Sequence, residues 1–189
     1  MYWYNIKLLL SFPVALLCGI LLLQSCAESD ATNASENASE YYAVHSFFKK
    51  EVDSLQHHNP IVQKTVGKDD DQETKVMHIK DWNAELGAFL SIDLSKAAYQ
   101  DMYEVDSTAQ QITYTAKSDE VDIQSLSIDL DAVGQVSAMK VVRNESNFLY
   151  QNKEQLSYVR GKEYSILKEQ HILLLGTNKY QIVSNFNTK

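Results

Sequence analysis

The stretch FLYQNKEQLSYVRGKEYSILKEQHILLLGTNKYQIVSNF, residues 148–186, decides the fold. Its apolar and polar residues alternate, and the alternation is interrupted at Gly161-Lys162 and at Gly176-Thr177-Asn178, a pattern that reads as three strands joined by turns. Tyr164, Ile166, Lys168, Gln170, Ile172 and Leu174 form one line, and Ser165, Leu167, Glu169, His171, Leu173 and Leu175 form the other. From Ile172 to Leu175 both lines are apolar, as expected of a central strand end covered from both sides. The final strand, KYQIVSNFNTK, is expected at a sheet edge because the chain ends there.

The same period extends upstream to about Tyr103. In QITYTAK, Ile112, Tyr114 and Ala116 alternate with Thr113, Thr115 and Lys117. VDIQSLSIDLD changes phase between Ile123 and Leu126, as a β-bulge requires. QVSAMKVVR follows a turn at Ala132-Val133-Gly134. Five or more consecutive strands with short turns and no helix among them must pair antiparallel, because parallel pairing needs crossovers of a dozen or more residues.

Before these strands the period is helical. In EYYAVHSFFKKEVDSLQHHNP, Tyr41, Val44, Phe48, Val52 and Leu55 share one face, while Lys49, Lys50, Glu51 and Asp53 turn mostly away from it. Asn37 and Glu40 have capping-box spacing, and Asn59-Pro60 supplies the stop. IVQKTVGKDDDQETKVMHI reads as two short strands around the acidic turn Asp69-Asp70-Asp71. A second helix opens in KDWNAELGAFL, with Asp81 as N-cap and Trp82, Leu86, Phe89 and Leu90 on one face. The following SIDLSKAAYQDMYEV fits either a loop and strand or more helix. The order defines an α+β chain, with N-terminal helices packed on an antiparallel β-sheet meander or, in its more curved form, on a half-barrel.

Residues 1–25 have one cation, Lys7, an apolar run from Leu8 to Leu23, and then Gln24 and Ser25. This is the layout of an export signal. A retained membrane span is the competing reading, but Pro13 and Ser11 interrupt the run and no basic cluster follows it. The segment LLLQSC resembles the lipobox of bacterial lipoproteins, with Leu22 or Leu23, small Ser25 and then Cys26; Gln24 fits the looser Bacteroidetes-type form. The resemblance implies that the signal is cut before Cys26. It further implies that the thiol and the new amino terminus carry fatty acyl chains such as palmitate, and that the protein sits in the bacterial cell envelope, at the outer membrane. Two or three acyl chains anchor durably where one holds only marginally. Residues 26–40, CAESDATNASENASE, lack Leu, Ile, Val and aromatics, so they read as a flexible tether with a reach of about 20 Å. Residues 41–189 then form a single domain.

The formal charge is −8, with 25 acidic and 17 basic residues. Such a surface repels nucleic acid and other polyanions, so no nucleic-acid partner is expected. No cysteine follows Cys26, which leaves neither a disulfide framework nor a thiolate metal site in the domain. His57-His58 with Asp53 could present imidazoles and a carboxylate on one helix face, but two helix-end histidines beside a proline are more often simply solvated. His45, His78 and His171 have no suitably spaced partner. There is no nucleophile elbow and no glycine-rich phosphate loop, and Asp69-Asp70-Asp71 lacks the glycine and glutamate of a calcium loop. No catalytic, metal or cofactor residue is therefore assigned. Of the 11 tyrosines, those of the β region fall on the alternating pattern and read as cross-strand packing. Asp53-Ser54-Leu55 and Asp106-Ser107-Thr108 resemble the O-glycosylation sequon of Bacteroidetes envelope proteins; the first falls within a helix, which leaves Ser107 as the candidate.

The function expected from these features is that of a non-enzymatic, membrane-anchored envelope lipoprotein, a binding or interaction module for an apolar ligand or an envelope protein. The element order resembles uncharacterised envelope lipoprotein families and, more distantly, half-barrel carriers and receptors of the LolA and LolB kind, which implies an acyl chain held between sheet and helices. Two alternatives remain open: an envelope hydrolase whose carboxylates are assembled by the fold, and a structural subunit of a surface assembly, which would expose an apolar patch or a long edge strand.

Overall fold

A computed structural model describes residues 41–99 and 101–186. The expected signal, Cys26, the tether and the Asn37–Glu40 capping pair lie outside these residues. Among the described residues no helix is long and apolar enough to cross a membrane.

The chain runs through helix α1 (Val44–His58), a hairpin of strands β1 (Ile61–Lys68) and β2 (Asp71–His78), two single-turn helices α2 (Trp82–Glu85) and α3 (Gly87–Leu90), and a 3₁₀ turn (Ala97–Tyr99). Seven strands follow: β3 (Tyr103–Ser107), β4 (Gln111–Ala116), β5 (Ile123–Leu130), β6 (Val136–Ser146), β7 (Tyr150–Val159), β8 (Glu163–Ile172) and β9 (Gly176–Phe186). All nine form one antiparallel sheet in the order β2-β1-β9-β8-β7-β6-β5-β4-β3, which is not closed into a barrel. The fold is α+β, with the helical layer on one face of the sheet.

Helix α1 begins three residues later than its periodicity predicts. Its N-cap is Ala43, which makes no side-chain cap, and the phenol of Tyr114 accepts a hydrogen bond from the Tyr42 amide at 2.9 Å. The helix ends as expected, with Asn59 in the left-handed region (φ 45°) donating its amide to the Leu55 carbonyl ahead of Pro60. Asp81 caps α2 by accepting from the Ala84 amide at 3.0 Å. The continuous helix expected there is broken at Leu86 (φ −95°, ψ 17°), just before Gly87, yet Trp82, Leu86 and Phe89 all remain fully buried. The expected phase change in β5 is a register shift between Ile123 and Ser125.

Two expectations are corrected. The last strand is not an edge: β9 lies between β8 and β1, because the early β1–β2 hairpin docks alongside it and Val62 pairs with Phe186. The edges are β2 and β3, whose exposed Gln72, Glu73, Lys75, Glu104 and Asp106 discourage strand addition. The Ile172–Leu175 run is likewise not a covered strand end. Strand β8 stops at Ile172, and Leu173, Leu174 and Leu175 form an exposed turn.

The core between the helical layer and the sheet is aromatic. Phe48 packs on Phe89 at 4.9 Å and edge-on to Tyr158 at 5.2 Å, and Trp82 meets Phe186 and Tyr164 edge-on at 5.7 and 6.3 Å. Tyr114, Tyr158 and Tyr164 are buried in this layer, and Tyr158 faces Tyr164 directly across β7 and β8. Phe48, Trp82, Leu86, Phe89, Tyr158 and Tyr164 have no exposure. The space in which a half-barrel carrier would hold an acyl chain is thus occupied by side chains.

Candidate functional site

Two carboxylates are drawn into the interface between the layers. Glu51 of α1 accepts hydrogen bonds from the Tyr158 hydroxyl at 2.7 Å and from the Arg160 guanidinium at 3.0 Å. Glu85 of α2 accepts from the Tyr164 hydroxyl at 2.5 Å and from the Lys64 ammonium at 2.7 Å. Burial, and then the neighbouring Glu51 carboxylate, push the Tyr158 phenol far above its usual pKa. Tyr164 is raised by burial and then by its bond to Glu85. Each carboxylate is therefore held by one cation and one protonated phenol, an arrangement that pins the helical layer to the sheet. Glu51 thus departs from the expectation that it turns mostly away from the sheet. Its spacing of three from Phe48 and four from Leu55 is the signal that places it at the margin of the buried face.

A third tyrosine–carboxylate contact lies at the β3 side. Tyr99 donates to Asp122, and its phenol is pushed up to about 12 by burial and then by that bond. Asp122 lies 3.5 Å from Arg143, which also approaches Glu154 at 3.6 Å, and Glu154 in turn approaches Lys168 at 3.3 Å. Arg143, Glu154 and Lys168 are paired in register across β6, β7 and β8, so the row is a ladder of alternating charge on the helix-side face.

Among the described residues, the helices pack on one face of the sheet and none covers the other. Gly67, Gln181, Leu167 and Gln155 form one cross-strand row on that face, out of phase with the row of Val66, Ile182, Ile166 and Leu156 on the core side. Together with Lys153, Glu169 and Lys179 they line a shallow trough of about 330 Å³. The absence of a side chain at Gly67 lets Gln181 lie across the trough floor; a Cβ there would come within 2.9 Å of Gln181 Cγ. At one end Asp69, in the β1–β2 turn with φ 52°, accepts from the Lys179 amide at 2.8 Å and returns a backbone bond of the same length. The trough, which Lys168 also lines, offers amide donors and acceptors, the ammonium groups of Lys153 and Lys179, the carboxylates of Asp69 and Glu169, and the half-exposed Leu167, a set suited to hydrogen-bonding a partner of mixed polarity.

The structure does not gather the residues singled out in the sequence. Ser107 is exposed at the end of edge strand β3. The His57 and His58 rings meet edge-on at 5.4 Å, and His58 Nδ1 bonds to the Ser54 carbonyl at 2.7 Å. Among the described residues, no three His, Cys, Asp or Glu side chains come together as a metal site. No protein family, curated protein or solved structure matches the chain.

Proposed function

We propose that the chain is a membrane-anchored envelope lipoprotein, held through acylated Cys26, that acts as a non-enzymatic binding module through the uncovered face of its sheet. The trough along Gly67, Gln181, Leu167 and Gln155 is the observation that carries this reading. An apolar ligand sandwiched between sheet and helices is disfavoured, because Phe48, Trp82 and Phe89 fill that space. A polar polymer or a protein loop fits the amide and ammonium lining better. Glu51 and Glu85, the carboxylates drawn between the layers, give the hydrolase alternative no support, since each is engaged by a cation and a phenol.

Two measurements test the proposal. Intact-mass analysis of membrane-derived protein is expected to find Cys26 at the amino terminus bearing acyl mass; a chain that keeps residues 1–25, or an unmodified thiol, overturns the anchor. A photo-crosslinking residue at Leu167 in growing cells is expected to give a defined adduct that is lost on Lys153→Glu with Lys179→Glu. Equal labelling from Lys49, on the exposed side of α1, overturns the assignment to this face.

A further inference from the structure

Two neighbouring hairpins end in exposed apolar tips. Phe148 and Leu149 lie between β6 and β7 and are 88% and 60% exposed; Leu173, Leu174 and Leu175 lie between β8 and β9 and are 48%, 95% and 77% exposed. The tips project side by side from one end of the sheet, joined by a hydrogen bond of 2.9 Å from the Leu173 amide to the Leu149 carbonyl. Together they form an exposed apolar protrusion.

Leu174 is doubly unfavourable where it stands. Its φ is 70°, the left-handed region that suits Gly or Asn, and its side chain is almost wholly in water. A residue placed against both backbone and solvation preference points to a role outside the fold.

The two tips are also uncharged, while the turns set back from them at the same end, 68–71 and 117–122, carry acidic residues. Residues 146–152 and 170–178 contain no Asp, Glu, Lys or Arg, in a chain that is 22% charged. Behind the leucines and Phe148 the tips carry Tyr150, His171 and the amides of Asn147, Gln151 and Asn178, residue types that pair an apolar body or neutral polar group with water. This is the layering of a lipid interface, with apolar side chains outermost and neutral, amphipathic groups at headgroup depth.

We infer that the paired tips dip into the headgroup and acyl boundary of a phospholipid bilayer, giving the domain a second membrane contact that sets its orientation. This inference rests on the proposed anchor for bringing the domain close. Tyr41, where the described chain enters, rests on Tyr103 at 6.4 Å, and Tyr103 lies in the half of the sheet from which the tips project. The proposed anchor at Cys26 precedes Tyr41 by fifteen residues, so the chain leads to it from the end of the sheet that bears the tips.

The test uses the full chain reconstituted into phosphatidylcholine vesicles, with tryptophan placed at Phe148 or Leu174 and, as the control, at Val133. Val133 is 78% exposed in the turn at the other end of the sheet. Acyl-brominated phosphatidylcholine is expected to quench the tip tryptophans by about half or more and to leave the Val133 variant unchanged. Equal quenching at the three sites, or none at the tips of chains that float with the vesicles, overturns the inference. Failure of the chain to float reports on the anchor instead; in that case tip quenching is read in vesicles with the chain tethered by a terminal nickel-chelating lipid. Protection of the tips that depends on protein concentration and not on lipid assigns them to a second copy of the chain and also overturns it. Leu174→Asn gives an independent reading: melting temperature is expected to rise by about 2–4 °C while tip quenching falls, opposite signs that a purely structural leucine would not produce.

Discussion

Replacing Glu51 tests most directly whether α1 is pinned to the sheet. In Glu51→Ala the Tyr158 hydroxyl, in a residue with no exposure, loses its acceptor, which costs about 1–3 kcal/mol for an unsatisfied buried donor. The one lost methylene adds about 0.8 kcal/mol. The Arg160 contact adds at most about 0.5 kcal/mol, because that side chain is nearly half exposed and screened by water. The expected total is about 2–4 kcal/mol, a fall of roughly 5–12 °C in melting temperature for a domain of this size. Glu51→Gln retains an acceptor and should lose only about 1 kcal/mol, as should Tyr158→Phe. The double variant Glu51→Ala with Tyr158→Phe should be less destabilised than the sum of its parts by about 1–2 kcal/mol, because the orphaned hydroxyl is gone. Urea unfolding followed by the fluorescence of Trp82, which sits against Tyr164 and Phe186, measures all four. If Glu51→Ala lies within about 0.5 kcal/mol of the parent, or if the two substitutions are additive, Glu51 is a solvated helix residue and the pin does not exist.

The buried phenols make a prediction about alkaline pH. Tyr103, Tyr158 and Tyr164 have folded pKa values raised above that of the unfolded chain, so their contribution to stability is fully present below about pH 10 and is lost as pH rises from there through the folded values, by about 1.4 kcal/mol per pH unit for each. Tyrosinate absorbance should therefore rise together with unfolding, and a smooth titration near pH 10 with the fold intact would contradict the burial. Asp81→Ala should lose about 1 kcal/mol with the cap of α2, measured by thermal melting, and an unchanged melting temperature would show the cap to be idle. Trp82→Ala should cost about 3–5 kcal/mol in urea unfolding, because the ring has no exposure and contacts Tyr164 and Phe186; a loss below about 1 kcal/mol would mean that the core re-forms without it. Gly67→Ala should cost under about 1 kcal/mol, since the crowded atom belongs to a flexible glutamine, yet it should shift Gln181 and lower crosslinking from Leu167; a larger loss would place backbone strain at Gly67.

Much of the fold is legible in the sequence because it is local. The alternation from Tyr103 to Phe186, the turns at Gly134 and Gly161, the Asn59-Pro60 stop and the Asp81 cap all depend on neighbours within a few residues, whereas the turn expected at Gly176-Thr177-Asn178 falls at Leu173–Leu175, and Gly176, Thr177 and Asn178 open β9. The differences fall where the deciding partner is distant in sequence. Strand β9 is internal only because β1 docks on it, and no local pattern reports that pairing. Alternation is also ambiguous at Leu173–Leu175, since a run apolar on both lines can be a covered strand or an exposed turn, and the turn is set by Leu174 and Gly176 at positive φ. Glu51 resembles its charged neighbours, and only Tyr158, far along the chain, gives its carboxylate a reason to be buried. The trough has no sequence signature for the same reason: its floor is assembled from β1, β7, β8 and β9 by register, with no motif in any one of them.

The docking of β1 on β9 also bears on how the protein reaches its fold. Val62 and Phe186 are roughly 120 residues apart in sequence, so the sheet is completed by one of its longest loop closures, between the first and last strands of the described residues. Local hairpins from β3 to β8 can form as they emerge, but β1 and β2 have no sheet to join until β9 is present. The sheet therefore stays incomplete until β9 is present to receive β1. Loss of the final strand would strip the β1–β2 hairpin from the sheet as well, so damage at one end of the chain would be felt at the other.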